Sequence, residues 1–198
     1  MESKIIPRLI LTILFILVIG TRRYYERKSA TVAKNDLKQD LDAATIIRVQ
    51  SLLLTVGNLG MIAYLINPTW MAWSSIPIPG WGPWIGTLFG VVGTGLLIEA
   101  HRALGDNFFG GVKIREEHQL ITSGPYYWVR HPMYTAFILL GFAWFLLSGN
   151  WLISGTWLAG TILAIATRLD KEEQMLLSEF GDAYEEYRRQ TGALFPKL

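Results

Sequence analysis

Two long stretches of this chain contain no charged side chain. Residues 49–98 and 132–167 lack Lys, Arg, Asp and Glu altogether. A helix that crosses the hydrocarbon core of a bilayer needs about 20 apolar residues. The two stretches therefore have room for about four membrane spans, and an apolar run near the N-terminus adds a fifth. The low charged fraction (17%) and the mean hydropathy of +0.30 agree with this interpretation, since soluble proteins carry about a quarter charged residues. We predict an all-α integral membrane protein.

The 198 residues are predicted to form one domain. Residues 1–103 hold three N-terminal spans, and residues 104–198 form a core with two spans and a C-terminal helix. Basic and aromatic residues follow the first apolar run where a signal peptide would have its cleavage site, so we interpret that run as a retained span. The predicted spans cover residues 5–25, 43–66, 84–103, 133–147 and 151–168.

The tail after the last span has an amphipathic pattern. Beyond Asp170, apolar side chains recur at helical spacing among Glu and Arg residues. This pattern predicts an amphipathic helix that lies on the membrane or on the site. The apolar positions are Met175, Leu176, Phe180, Tyr184 and Tyr187.

The third span is rich in glycine. Gly86, Gly90, Gly93 and Gly95 give a small-residue spacing that allows neighbouring helices to approach closely. The alternative is that these glycines are simply tolerated in a membrane helix.

The Lys and Arg residues predict the orientation of the protein. Five spans place residues 21–42, 104–131 and 169–198 on one side, and these segments hold nearly all the basic residues. By the positive-inside rule this side faces the cytoplasm. Acidic residues are interleaved with the basic ones, which argues against nucleic-acid binding. The absence of Cys excludes disulfides, thiolate metal sites and a Cys nucleophile.

Three predicted helix ends bring ionisable side chains to the cytoplasmic edge. Such groups are candidates for function because their desolvation is unfavourable unless they are paired. The alternative is a solvated boundary with ion pairs among lipid headgroups. Arg168 and Glu172 share one helix face at i,i+4 spacing, so they form either an ion pair or part of a pocket. The three groups are Glu99, His101 and Arg102; Arg130 and His131; and Arg168, Glu172 and Glu173.

The order and spacing of these polar groups carry a family resemblance. Residues 118–126 read HQLITSGPY, residues 130–134 read RHPMY, a Glu pair follows at 172–173, and residues 180–187 read FGDAYEEY. In this order the motifs resemble the isoprenylcysteine carboxyl methyltransferase family, whose wider group includes membrane phospholipid N-methyltransferases.

The resemblance implies an integral-membrane enzyme that uses S-adenosyl-L-methionine in a cytosolic pocket. Arg168 would bind the substrate, and Arg168 and Glu172 are the candidate catalytic residues. A sulfonium cofactor is a cation that aromatic faces attract, and its ribose hydroxyls need an acceptor such as Glu172. We expect His131 to be a hydrogen-bonding wall, and we expect no metal site. The implied cofactor-binding residues are Lys113, His118, Gln119, Leu120, Ile121, Tyr126, His131, Pro132, Met133, Tyr134 and Glu172.

The expected reaction is O-methylation of a carboxylate on an isoprenylcysteine-like or other lipophilic acceptor. Expected partners are this prenylated acceptor and membrane lipids. Amine N-methylation of a phospholipid is an alternative and would need a general base. A membrane sterol reductase using NADPH and a non-catalytic membrane scaffold are further alternatives. The residues alone do not separate a carboxylate from an amine or thiol acceptor.

Overall fold

The computed structural model describes residues 5–30, 41–105 and 120–197, with side chains for all of these except residues 28–30 and 41–44. The described part is built of helices, and its only β-type pairings are two isolated bridges. The α-helices are α1 (Ile5–Ala30), α2 (Leu41–Ile66), α3 (Gly82–Leu104), α4 (Pro132–Ser148), α5 (Trp151–Phe180) and α6 (Asp182–Gln190). Short 3-10 helices cover Pro68–Ser74 and Gly124–Tyr127.

All five predicted spans are present as helices, which confirms the all-α membrane fold. Within the described ranges, α1, α2, α3 and α5 are long and apolar enough to cross a membrane. Helix α4 has 17 residues, or about 25 Å of helix at 1.5 Å per residue, and lies at the lower limit for a span.

The boundary between the last span and the C-terminal helix lies later in the chain than predicted. Helix α5 does not end near Arg168 but continues without a break to Phe180. Nothing between these two residues breaks a helix, since Gly181 is the first glycine after Gly160 and no proline intervenes. Gly181 has a φ of 51°, which side chains disfavour, and α6 begins only after it. The charged C-terminal part of α5 therefore continues as helix beyond the uncharged stretch 132–167.

Helix α4 is the centre of the bundle. Its buried positions include Ala136, Leu140, Ala143 and Trp144. The Trp144 ring meets rings from two other helices edge-on, Phe15 of α1 at 6.3 Å and Trp157 of α5 at 6.0 Å between centroids. Large apolar side chains on the outer faces of the bundle are exposed, as expected where lipid is the solvent.

Glycines bring α3 close to its neighbours. A Cβ atom at Gly86 would lie 2.8 Å from Leu146 Cβ, and one at Gly93 would lie 3.2 Å from the Ala136 carbonyl oxygen. Gly90 similarly faces Leu14 of α1. The prediction of close approach is confirmed at these three positions. It is wrong for Gly95, where an added Cβ would meet open space.

The connection between α2 and α3 lies at the end of the bundle opposite α6. Its tryptophans are exposed, which fits side chains at headgroup depth. The buried Asn150 joins this connection to the α4–α5 turn. Its side chain accepts from the Ile153 amide at 3.2 Å and donates to Met71 O at 3.1 Å and Ser74 Oγ at 2.8 Å. One amide side chain thus caps α5 and fixes the loop.

Asn150→Ala should lower the free energy of unfolding by about 2 kcal/mol, because it removes a helix cap and leaves buried polar groups unpaired. Asn150→Asp retains the cap acceptor but loses the two donated bonds, so its stability should be intermediate. Thermal unfolding in detergent provides the comparison. Equal midpoints of thermal unfolding for wild type and Asn150→Ala would contradict the stabilising role of the Asn150 side chain.

Candidate active site

The segment before α4 forms one wall of the site. Gly124, with a φ of 62°, allows the chain to turn into the 3-10 helix Gly124–Tyr127. Tyr126 is buried there, and its carbonyl oxygen accepts from the Tyr187 hydroxyl at 2.5 Å. Pro132 occupies the first turn of α4, where a missing N–H carries no penalty. Arg130 and His131 are therefore held at the mouth of the helix.

The acidic pair on α5 meets this wall directly. Glu173 Oε1 accepts from Arg130 Nε at 2.8 Å and lies 3.2 Å from His131 Nε2. Glu172 Oε1 accepts from the Tyr134 hydroxyl at 2.9 Å, and its other oxygen lies 3.4 Å from His131 Nδ1. We call these five residues the rim cluster. The rim cluster joins α4 to α5, so the two polar motifs of the sequence form one site.

The C-terminal segment of residues 191–194 holds the rim cluster in place through its carbonyl groups. The Arg130 and His131 amides donate to Gly192 O at 2.9 Å and Ala193 O at 3.0 Å. Arg130 Nη1 donates to Thr191 O. The role of this segment could not be predicted from side-chain motifs, because it depends on main-chain carbonyl groups, which every sequence has.

The protonation states of His131 and Tyr126 follow from burial and from neighbouring ionisable groups. Burial alone lowers the pKa of His131, but hydrogen bonds with Glu172 and Glu173 outweigh burial and leave the pKa above its ordinary value. Burial, the neighbouring Tyr187 and then Glu172 raise the pKa of Tyr126, which therefore stays neutral. The cluster thus contains a histidine with an increased tendency to be cationic between two acids.

Arg168 lies one helical turn before Glu172, but the two residues do not form an ion pair. Arg168 Nη2 instead donates to Gln50 Oε1 of α2 at 3.2 Å. Among the described residues no carboxylate lies within ion-pair distance of Arg168. Of the two alternatives, the ion pair between Arg168 and Glu172 is therefore absent, and the guanidinium remains available to an anionic ligand. Sequence reasoning did not find Gln50, because a lone Gln in an apolar span carries no motif.

The other candidate residues divide into three groups. Lys113, His118 and Gln119 lie outside the described residues. Leu120 and Ile121 are partly exposed in the segment that leads to the 3-10 helix. Pro132 is buried, and Met133 packs against the apolar core.

The residues at the rim also fit a sulfonium nucleoside. The Glu172 side chain is 28% exposed, and Tyr134 holds one of its oxygens in place. The carboxylate therefore has lone pairs free for ribose hydroxyls. The partly exposed Tyr134 ring, 5.9 Å from the His131 ring, adds an aromatic surface that favours a cation.

His131 should make stability depend on pH. Its folded-state pKa lies above the value of about 6.5 expected in the unfolded chain. Its stabilising contribution is therefore complete below about pH 6.5 and is lost as pH rises through the folded-state pKa. Unfolding midpoints measured from pH 5.5 to 9 should show a gap between wild type and His131→Asn that narrows as pH rises. A gap that stays constant or widens would contradict a cationic His131.

Comparison with known proteins identifies the segment that carries the site. The family model for the isoprenylcysteine carboxyl methyltransferase (ICMT) family matches residues 85–178. A protein-S-isoprenylcysteine O-methyltransferase of Schizosaccharomyces pombe is 36% identical over 88 residues, which are 43% of this chain and 36% of that protein. A protein of the same name from Tribolium castaneum is 31% identical over 114 residues, which are 57% of this chain and 41% of that protein.

A third protein of this name, from Dictyostelium discoideum, is 27% identical over 126 residues, which are 58% of this chain and 49% of that protein. The chain thus matches between about a third and a half of the length of these curated relatives. The segment that matches the family model runs from α3 through α5 and includes every residue of the rim cluster, together with Tyr126 and Arg168. Through this segment the chain is similar to the isoprenylcysteine carboxyl methyltransferase family.

Proposed function

We propose that this protein transfers a methyl group from S-adenosyl-L-methionine to a carboxylate on an isoprenylcysteine-like, lipophilic acceptor. The observation that carries the proposal is Arg168, a cation at the end of the apolar part of α5, one turn from Glu172 and unpaired with any described carboxylate. An arginine left in this state binds an anion strongly. The match to the family model and the names of the similar proteins support a carboxyl group as that anion.

Each polar residue of the site has a separate task. Glu172, oriented by Tyr134, would accept hydrogen bonds from ribose hydroxyls, and the Tyr134 ring would offer an aromatic face to the sulfonium cation. When bound, the cofactor supplies an electrophilic methyl group. Arg168 holds the acceptor carboxylate without removing its charge, so an oxygen lone pair stays available for attack. The site's remaining contribution is to align the reactants and exclude water.

The engagement of the two glutamates argues for a carboxylate over an amine acceptor. An amine must lose a proton, and Glu172 and Glu173 are the nearest bases. Glu173 is already paired with Arg130 and His131, and the proposal assigns the free lone pairs of Glu172 to ribose hydroxyls. A carboxylate acceptor is ionised at neutral pH and needs neither of them.

The depth of the site suits a lipophilic acceptor on the cytoplasmic side. Arg168 follows the uncharged stretch 132–167 immediately, so a ligand bound there can leave its apolar part among the helices. The excess of Lys and Arg on this side supports a cytoplasmic orientation.

Arg168→Ala should reduce methyl transfer by roughly 100-fold, as expected for loss of a charged hydrogen bond of about 2–3 kcal/mol. Binding of S-adenosyl-L-methionine should be retained. The matched control is Arg102→Ala, which removes an arginine from a mostly exposed ion pair with Glu99 at the end of α3. Unchanged turnover in Arg168→Ala would remove this residue from the mechanism.

Glu172→Ala should weaken the binding of S-adenosyl-L-methionine roughly tenfold, because a carboxylate acceptor for hydroxyl groups is lost. Isothermal calorimetry in detergent measures this affinity. Glu179→Ala on the exposed face of the same helix is the control and should bind as wild type does. Equal affinities of Glu172→Ala and Glu179→Ala for S-adenosyl-L-methionine would show that the ribose does not bind at Glu172.

A further inference from the structure

We infer that Gln50 is a second carboxylate-binding residue, which forms with Arg168 a two-sided site for the acceptor's carboxylate. The inference rests on the proposed function and adds to it a residue from α2, outside every motif of the family resemblance. It gives the proposed site an uncharged hydrogen-bond donor beside the guanidinium.

The orientation of the Gln50 amide follows from its partner. Arginine can only donate hydrogen bonds, so the atom of Gln50 that faces the Arg168 guanidinium at 3.2 Å is its oxygen. The amide nitrogen is then directed away from the guanidinium, and it makes no hydrogen bond to any described residue. Gln50 therefore presents an N–H2 donor beside the free N–H groups of Arg168.

The packing of α2 against α5 fixes this arrangement. Gly57 faces Thr156 so closely that an added Cβ would lie 2.6 Å from Thr156 Oγ1. One turn further along, Gly160 accepts the side chain of Leu54. Gln50 lies on the same face of α2 as Leu54 and Gly57, since i,i+4 and i,i+7 positions align along a helix. These contacts set the register that brings Gln50 beside Arg168.

The choice of glutamine has a clear electrostatic consequence. A glutamate at this position would neutralise the charge of Arg168, and it would repel an incoming carboxylate. A glutamine orients the guanidinium through its amide oxygen and does not neutralise its positive charge. The neutral amide thus keeps the site selective for an anion.

The test compares Gln50→Glu with Ser51→Glu, which introduces the same charge at the next, exposed position of α2. The probe is N-acetyl-S-farnesylcysteine with S-adenosyl-L-methionine as methyl donor. Gln50→Glu should raise the KM of the acceptor by roughly tenfold or more, while the affinity for S-adenosyl-L-methionine stays unchanged. Ser51→Glu should leave both quantities near their wild-type values.

An uncharged ligand separates recognition of the carboxylate from a general structural effect. The carboxamide analogue of the probe, used as a competitive inhibitor, should inhibit wild type and Gln50→Glu equally, since it carries no charge to be repelled. Gln50→Leu removes both hydrogen-bonding functions without adding charge, and it should raise the KM of the acid severalfold. This variant provides the comparison if Gln50→Glu does not fold.

The possible failures can be told apart. If the wild-type protein does not methylate the probe, the proposed function fails and the role of Gln50 fails with it. If wild type is active and both Gln50 variants keep the acceptor KM of the Ser51→Glu control, only the inference about Gln50 is overturned. Equal weakening of the acid and the carboxamide would also overturn it, because it would indicate a structural role.

Discussion

The contact between Arg130–His131 and Glu172–Glu173 is the interaction on which the site depends. It joins the start of α4 to the end of α5 at a place where both helices leave the apolar zone. Little water is available there to solvate unpaired charges, so pairing across the two helices is strongly favoured over leaving either side alone. The consequence is that Glu172 has a fixed position, with one oxygen held by Tyr134 and the other near His131.

This arrangement divides the polar residues at the rim into two kinds. Arg130 and Glu173 satisfy each other, and the carbonyl groups of residues 191–194 complete the surroundings of Arg130. Arg168 has instead a neutral partner, Gln50, and Glu172 keeps part of its surface exposed. The Arg130–Glu173 pair therefore has a structural role, whereas Arg168 and Glu172 remain accessible to ligands. A cation and a carboxylate one turn apart, each unneutralised by the other, suit a reaction that brings a cationic donor to an anionic acceptor.

The helical architecture could be predicted from residues that a bilayer constrains. The uncharged stretches required spans, and the fourth predicted span, residues 133–147, lies within one residue of each end of α4. The end of α5 was less predictable, because the change from apolar to charged residues at Arg168 marks the membrane boundary and not the end of the helix. Only Gly181 ends it, and its effect depends on backbone conformation instead of polarity. The glycines of α3 show the same limit: the spacing predicted close contact, but only neighbouring helices decide that Gly93 is covered and Gly95 is open.

The site was predictable where it depends on side chains that are close in sequence or part of a motif, and unpredictable where it depends on distant packing. Helical spacing placed Arg168 and Glu172 on one face, yet spacing cannot tell whether a partner from another helix competes for the guanidinium. Gln50, 118 positions away in the sequence, does so. The competition has a physical basis, since an Arg–Glu pair at i,i+4 on a helix surface gains only about 0.5 kcal/mol. A hydrogen bond to a neutral amide, together with two hydrogen bonds to Glu172 from Tyr134 and His131, outweighs so small a gain. The unpaired state of Arg168 is therefore a product of three helices packing together, so the anion-binding role proposed for this rim depends on the folded protein.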